Sequence, residues 1–139
     1  MRLLSFTAVL AGSSTLCAVM ALADATPETD IRAVISDQIS AFQADDVARA
    51  FTFASPALRT AFGDADRFGS MVKAGYPMVW RPGDLRFLGL REGEDGKIQR
   101  VMIRDQSGHI HFLDYKMIET GEGWTINGVD VLTNGGQPA

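Results

Sequence analysis

The chain opens on an apolar run. From Leu3 to Met20 it is broken only by small and hydroxyl-bearing residues, with Arg2 before it and Ala21-Leu22-Ala23 closing it ahead of Asp24. Beyond Asp24 the pattern becomes periodic. Ile31, Val34, Ile35, Ile39 and Phe42 recur at three- and four-residue spacing and predict an amphipathic helix. Thr26-Pro27 supplies its hydroxyl cap and first-turn proline, and Glu28 and Asp30 sit where the helix dipole favours acids. Asp45-Asp46 breaks this run and can cap a second helix, with Val47, Ala50, Phe51 and Ala54 inward. Ser55-Pro56 repeats the cap-plus-proline signal and starts a short helical piece carrying Leu58 and Phe62, which Gly63 ends. Asp64 opens a third main helix, with Phe68, Met71 and Val72 inward and Gly75 at its close.

The back half alternates as strands do. Leu85 to Arg91, Lys97 to Asp105, His109 to Glu119 and Trp124 to Leu132 read as four strands. Short glycine-bearing turns join them, which predicts an antiparallel meander. One parity set collects Leu85, Phe87, Val101, Ile103, Leu113, Tyr115, Met117, Trp124 and Ile126. The other still holds Leu88, Leu90, Met102, Ile110, Phe112, Val129 and Val131, whereas a sheet wet on one face should have one polar set. The expectation is that the helices take one face and a second copy of the chain takes the other. The fold class read from these patterns is α+β, three N-terminal helices packed on a curved four-stranded antiparallel sheet. Residues 24–132 form a single domain, and the polar Gly/Pro stretch 133–139 reads as a flexible tail.

The opening run has the anatomy of a cleaved secretory signal peptide, residues 1–23. Gly12, Ser13, Ser14 and Thr15 dilute it against the membrane-anchor reading, and Leu16 before Cys17 speaks against a lipoprotein. The expected location is outside the cytoplasm, in the periplasm, with no membrane attachment after cleavage. Cleavage removes the sole cysteine, so the remaining 116 residues hold no disulfide, thiol nucleophile or cysteine metal ligand. It also removes Arg2, which leaves 12 basic against 17 acidic residues and a net charge of −5. A domain of that sign is not a binder of nucleic acid or anionic membrane by bulk attraction.

Several segments together carry a resemblance. They are Ile31-Arg32-Ala33-Val34-Ile35 through Gln38, Phe42-Gln43-Ala44-Asp45-Asp46, and Ala50-Phe51 with Phe53-Ala54-Ser55-Pro56. Arg67-Phe68, Gly75-Tyr76-Pro77, Trp80-Arg81-Pro82 and the ending Gly123-Trp124 with Ile126-Asn127-Gly128 continue it. The chain resembles a family of small exported bacterial proteins, domain of unknown function 4864. In outline it resembles the wider NTF2-like, or cystatin-like, group of cone-shaped α+β domains. The resemblance implies that cone, and it carries over no catalytic residues. The wider group spans isomerases, dehydratases, transport adaptors and dimerisation modules, so fold alone assigns no activity.

Three sets of residues could carry chemistry. His109 and His111 lie two apart on a strand, about 6–7 Å along one face, which is two-thirds of a metal site. Asp105, Asp130 or a helix would have to supply the third ligand; an exposed pair beside a turn is the plainer reading, and no metal is assigned. Asp114, between Leu113 and Tyr115, could act as a desolvated general base, or pair with Lys116 on the same face. Tyr76 to Pro82 packs two aromatics, Arg81 and two prolines into seven residues. It can form a stiff binding lip in which Arg81 grips an anion, or a helix-to-sheet connector in which Trp80 plugs the core and Arg81 pairs with an acid such as Asp84.

Nucleophile elbows, phosphate-cradling loops and dinucleotide fingerprints are absent, so no cofactor is assigned. The reading therefore leans toward a non-catalytic exported module that holds a small apolar, amphipathic or anionic molecule, or a protein partner, in the helix–sheet concavity. Tyr76, Trp80, Arg81, His109, His111 and Tyr115 are its candidate ligand-binding residues. An isomerase- or hydrolase-type enzyme and a structural homodimer built on the outer sheet face are the alternatives. A cavity of roughly 300 Å³ or more would keep binding and catalysis open. An Asp or His inside it without a charge partner would favour catalysis.

Overall fold

The computed structural model describes residues 26–133 and 137–138, so the expected leader, residues 1–23, lies outside the described residues. Five helices precede the sheet: α1 (Pro27–Gln43), α2 (Val47–Thr52), α3 (Pro56–Phe62), α4 (Ala65–Gly75) and α5 (Pro77–Trp80). The strands are β1 (Pro82–Glu92), β2 (Lys97–Asp105), β3 (Ile110–Thr120), β4 (Gly123–Thr133) and the two-residue β5 (Gln137–Pro138). They pair in chain order, all antiparallel. The architecture is the expected α+β one, with two helices more than the three main ones predicted. One is the short Ser55–Gly63 piece, and the other, α5, occupies the stretch read as a lip or connector.

Local chemistry starts the first four helices. The side chains of Thr26, Asp46, Ser55 and Asp64 each accept a hydrogen bond from the backbone amide three residues on. Gly63 ends α3 at φ 85°, a backbone conformation glycine adopts without strain. Asp45 turns the chain after α1 at φ 56°, the left-handed region that aspartate tolerates better than most side chains. The buried face of α1 is Ile31, Ile35, Gln38, Ile39, Ala41 and Phe42, the apolar stripe the spacing predicts plus one amide. α2 and α4 meet at Gly69, where an added Cβ would lie 2.5 Å from a Val47 methyl, so only glycine allows that approach.

The helical layer is stitched to the sheet by main chain. The Ser55 amide donates to the Ile126 carbonyl at 2.8 Å, and the Ile126 amide donates to the Phe53 carbonyl at 2.9 Å. Ser55 is fully buried there, and its Oγ both caps α3 and bonds Asn127 Oδ1 at 2.8 Å. Ser55→Ala therefore removes a helix cap and leaves the half-buried Asn127 amide oxygen short of a partner. We expect a loss of about 1–2 kcal/mol in urea unfolding. A change below a few tenths would show that the stitch is carried by the main chain alone.

Besides a register shift at the start of β1, between Pro82 and Asp84, two irregularities bend the sheet and decide which residues face the helices. The β1–β2 register shifts between Phe87 and Leu90, and the β3–β4 register shifts after Lys116, where Asn127 is the extra residue. Each shift reverses side-chain parity beyond it. Leu90, Val129 and Val131, which strict alternation assigns to the outer face, consequently pack against the core. The outer face keeps less apolar surface than expected, with Leu88 and Ile110 as the large side chains most exposed among the described residues. Its centre is charged. Asp114, 4% exposed, takes paired hydrogen bonds from Arg100 at 2.9 and 3.2 Å and bonds from Arg91 at 2.6 and 3.4 Å. The expected Asp114–Lys116 pair does not form, because Lys116 reaches across to Asp130 at 3.2 Å.

Candidate functional site

A cavity of about 250 Å³ lies between the helical layer and the sheet. It falls short of the roughly 300 Å³ expected of a drug-sized site, yet exceeds the ~150 Å³ known to admit benzene. It has room for about eight waters at their liquid volume of ~30 Å³ each. α1 contributes Gln38 and Phe42, α4 contributes Phe68 and Val72, and the sheet closes it with Tyr115, Ile126 and Val129. Leu58, Phe62 and Met71, half-buried, and the exposed Asp130 mark the side nearest solvent. The wall is overwhelmingly hydrocarbon because Phe42, Phe51 and Phe62 gather around Phe68, with ring centroids 5.4–5.8 Å apart.

Polar atoms in this wall are few, and most are engaged. Gln38 donates its side-chain amide to the Ala50 carbonyl at 3.2 Å. Tyr76 donates its hydroxyl to the Val129 carbonyl at 3.2 Å, directly across the ladder from Tyr115. Asp130 at the rim is held by Lys116. Tyr115 borders the space but presents no accessible polar atom to it. It is fully buried, and its hydroxyl has no hydrogen-bond partner among the described residues. Burial pushes the phenol well above its usual range, with the neighbouring Tyr76 adding to the shift, so the hydroxyl keeps its proton throughout the physiological range.

Of the six residues singled out from sequence, Tyr76 and Tyr115 line this cavity and four do not. Trp80 packs on Phe42 with ring centroids 5.5 Å apart. Arg81 lies over the Trp80 ring at 4.9 Å, donates to the Phe42 carbonyl at 2.6 Å and pairs with Asp45 at 2.5 Å. Its acid is thus Asp45, while Asp84 faces Arg86 at 3.5 Å. Arg81 is a strut between the end of α1 and the start of β1. His111 Nε2 and His109 Nδ1 both turn to Asp105 Oδ2, at 2.8 and 3.7 Å, and the His109 and Ser107 amides bond Asp105 Oδ1. The His111 bond, helped by those amides, holds the Asp105 carboxyl below the usual carboxylate range. Among the described residues no three His, Cys, Asp or Glu side chains are grouped to hold a metal ion.

Sequence reading passed over Gln38, Phe42, Phe68 and Val129 as site residues. Nothing but helical period marks the first three, and a bulge hides the fourth. A second hollow, about 490 Å³, follows the β1–β2 turn along Gly93–Ile98 and Lys116–Ile118. Polar and apolar atoms share its lining evenly, Lys97 is paired to Glu92 there, and Met117 is the one buried side chain among the residues that line it.

The family model described as Domain of unknown function (DUF4864) matches residues 24–139. The chain belongs to this family. No curated protein and no solved structure matches the chain. Membership accords with the features that tie the family-resembling segments together here. Ser55-Pro56 forms the stitch to β4, Trp80-Arg81 forms the strut to α1, and Tyr76 and Ile126 line the cavity. No helix among the described residues is long and apolar enough to cross a membrane.

Proposed function

We propose that this DUF4864 domain is a non-catalytic binding module of NTF2-like type, exported to the periplasm, that holds a small apolar or amphipathic molecule between its helices and its sheet. The observation that carries the reading is the apolar cavity of about 250 Å³, with Gln38 and Tyr76 as polar-tipped residues in its lining. Hydrocarbon walls with a few placed polar groups are the usual make-up of a small-molecule site. The exported location is supported by the leader pattern of residues 1–23, and the NTF2-like reading by helices preceding a curved antiparallel meander. Catalysis is not part of the proposal. The carboxylate at the rim, Asp130, already has Lys116, and His109 and His111 do not reach the cavity.

Thermal melts with single-ring probes such as indole or ethylbenzene test this. A probe at 100 times its dissociation constant stabilises the folded state by about 2.7 kcal/mol, which raises Tm measurably. Met71→Trp, at the rim, should remove the shift by closing the space. Native mass spectrometry of the exported protein should show a retained small molecule at one per chain. Absence of any shift across a panel of single-ring probes, together with a ligand-free mass, would sink the reading.

A further inference from the structure

We propose that the cavity selects a neutral single-ring molecule carrying a hydrogen-bond donor, a hydroxyl or a ring N–H, and that the side-chain carbonyl oxygen of Gln38 accepts from it. The inference rests on the reading of the cavity as a binding site and adds what the site recognises.

Gln38 is the one amide on the buried face of α1, and it is 3% exposed. It lies one turn before Phe42, and both residues line the cavity. A partner that can only accept fixes which way the amide is turned, since Nε2 donates to the Ala50 carbonyl at 3.2 Å. Oε1, with two lone pairs, accepts no hydrogen bond among the described residues. The side-chain atoms there that lack both a partner and accessible surface are Arg32 Nε, Arg59 Nε, Gln99 Oε1 and Tyr115 Oη. Gln38 Oε1 is not one of them, so it is open rather than sealed. The open space that this nearly buried side chain borders is the cavity. Buried polar groups are kept where their hydrogen bonds can be completed. The protein supplies a partner to the nitrogen of this amide and none to its oxygen.

The complement of a free carbonyl oxygen is a donor. Tyr76, the other polar-tipped residue in the lining, points the same way. It spends its proton on the Val129 carbonyl, so its oxygen has lone pairs left to offer. A molecule whose sole polar atom is an ether or ester oxygen would set lone pairs against lone pairs. Water also donates, but a ring-bearing donor that displaces it keeps the hydrogen bond and adds apolar burial against Phe42 and Phe68.

Neutrality follows from the charges. An ammonium donates too, but the carboxylate at the rim, Asp130, is held by Lys116 at 3.2 Å. An ion carried into a hydrocarbon wall without a counter-charge meets a large desolvation penalty. Size follows from volume, since 250 Å³ holds a ring and a short substituent and little more.

The test uses four probes, p-cresol, its isomer anisole, toluene and benzylammonium, titrated calorimetrically at pH 7 against the wild type and Gln38→Met. Methionine keeps the length and bulk of the side chain and removes the amide, and the Ala50 carbonyl retains the Phe53 amide at 3.3 Å. We expect Gln38→Met to weaken p-cresol about fivefold and to leave toluene and anisole within about twofold. On the wild type, p-cresol should bind more tightly than anisole, although it is the better hydrated isomer, and more tightly than benzylammonium. Equal effects of the substitution on p-cresol and toluene would overturn the inference while leaving the binding site standing. Anisole or benzylammonium binding the wild type as tightly as p-cresol would do the same, and this comparison decides the matter even if the variant does not fold. Failure of all four probes to bind the wild type would overturn the binding reading itself.

Discussion

Phe42→Ala lowers the stability of this domain by about 3–5 kcal/mol, the range for emptying a fully buried aromatic position. Phe42 is 0% exposed and joins two aromatic neighbours, Phe68 at 5.8 Å and Trp80 at 5.5 Å between centroids. Truncation removes both contacts. It also merges the vacated space with a cavity that Phe42 already lines, so the surroundings cannot collapse to fill it. No disulfide backs the packing up, since the single cysteine of the chain is Cys17, in the leader pattern. Against a typical total of about 5–15 kcal/mol, this is a large fraction, and Tm should fall by roughly 10–20 °C. Phe62→Ala, at the half-buried rim, should cost clearly less. A Phe42→Ala protein melting within about 3 °C of wild type would mean that α1 does not anchor the helical layer as described.

Asp114→Ala should cost about 2–3 kcal/mol and remove part of the acid sensitivity of folding. Two guanidiniums converge on this one carboxylate, and without it Arg91 and Arg100 face each other unpaired. Breaking a buried pair costs more than this, about 3–5 kcal/mol, but the arginine side chains are 48% and 31% exposed and water takes up part of the loss. Arg91→Ala should cost less than Asp114→Ala, because Arg100 still neutralises the acid. Burial by itself would raise the Asp114 carboxyl. The hydrogen bonds from Arg100 and then Arg91 outweigh burial and hold it below the usual carboxylate range. A group whose folded pKa is depressed stabilises the fold above its unfolded value, about 3.9, and that contribution is lost as pH falls through the folded value. Wild type and Asp114→Ala should therefore differ most near neutrality and converge at the acid end of the titration, as followed by urea unfolding between pH 7 and pH 2. Parallel curves throughout would show that Asp114 is not the titrating group.

Sequence reasoning reached the parts of this fold that are written locally. A capping side chain followed by helical period marks α1 to α4, because a cap acts over three residues and needs no distant partner. The four long strands follow from alternation and glycine turns in the same way. α5 was hidden because four residues between Pro77 and Pro82 are too few to show a period. The bulges were hidden because register is a property of two strands together, and with them went the placement of Leu90, Val129 and Val131. Asp45 as the partner of Arg81 was hidden by 36 residues of separation. Tyr76 and Tyr115 could be picked out as aromatics with a polar tip. The space they border could not, since an unfilled volume depends on how α1, α3, α4 and β4 fail to meet.

The break in β1 between Phe87 and Leu90 has a second effect, on what other chains can do to this one. β1 is the outer strand on its side of the sheet, and an outer strand with free amides and carbonyls invites a neighbour to extend the ladder. Here the Gln99 side chain occupies the Leu88 and Gly89 carbonyls from within, at 3.0 and 3.4 Å. Pro82 withholds an amide at the strand's beginning, and the exposed Arg86 and Arg91 set charge along its length. This margin of the sheet is thus a poor template for intermolecular strand addition, a protection against aggregation that matters in a chain secured by packing alone.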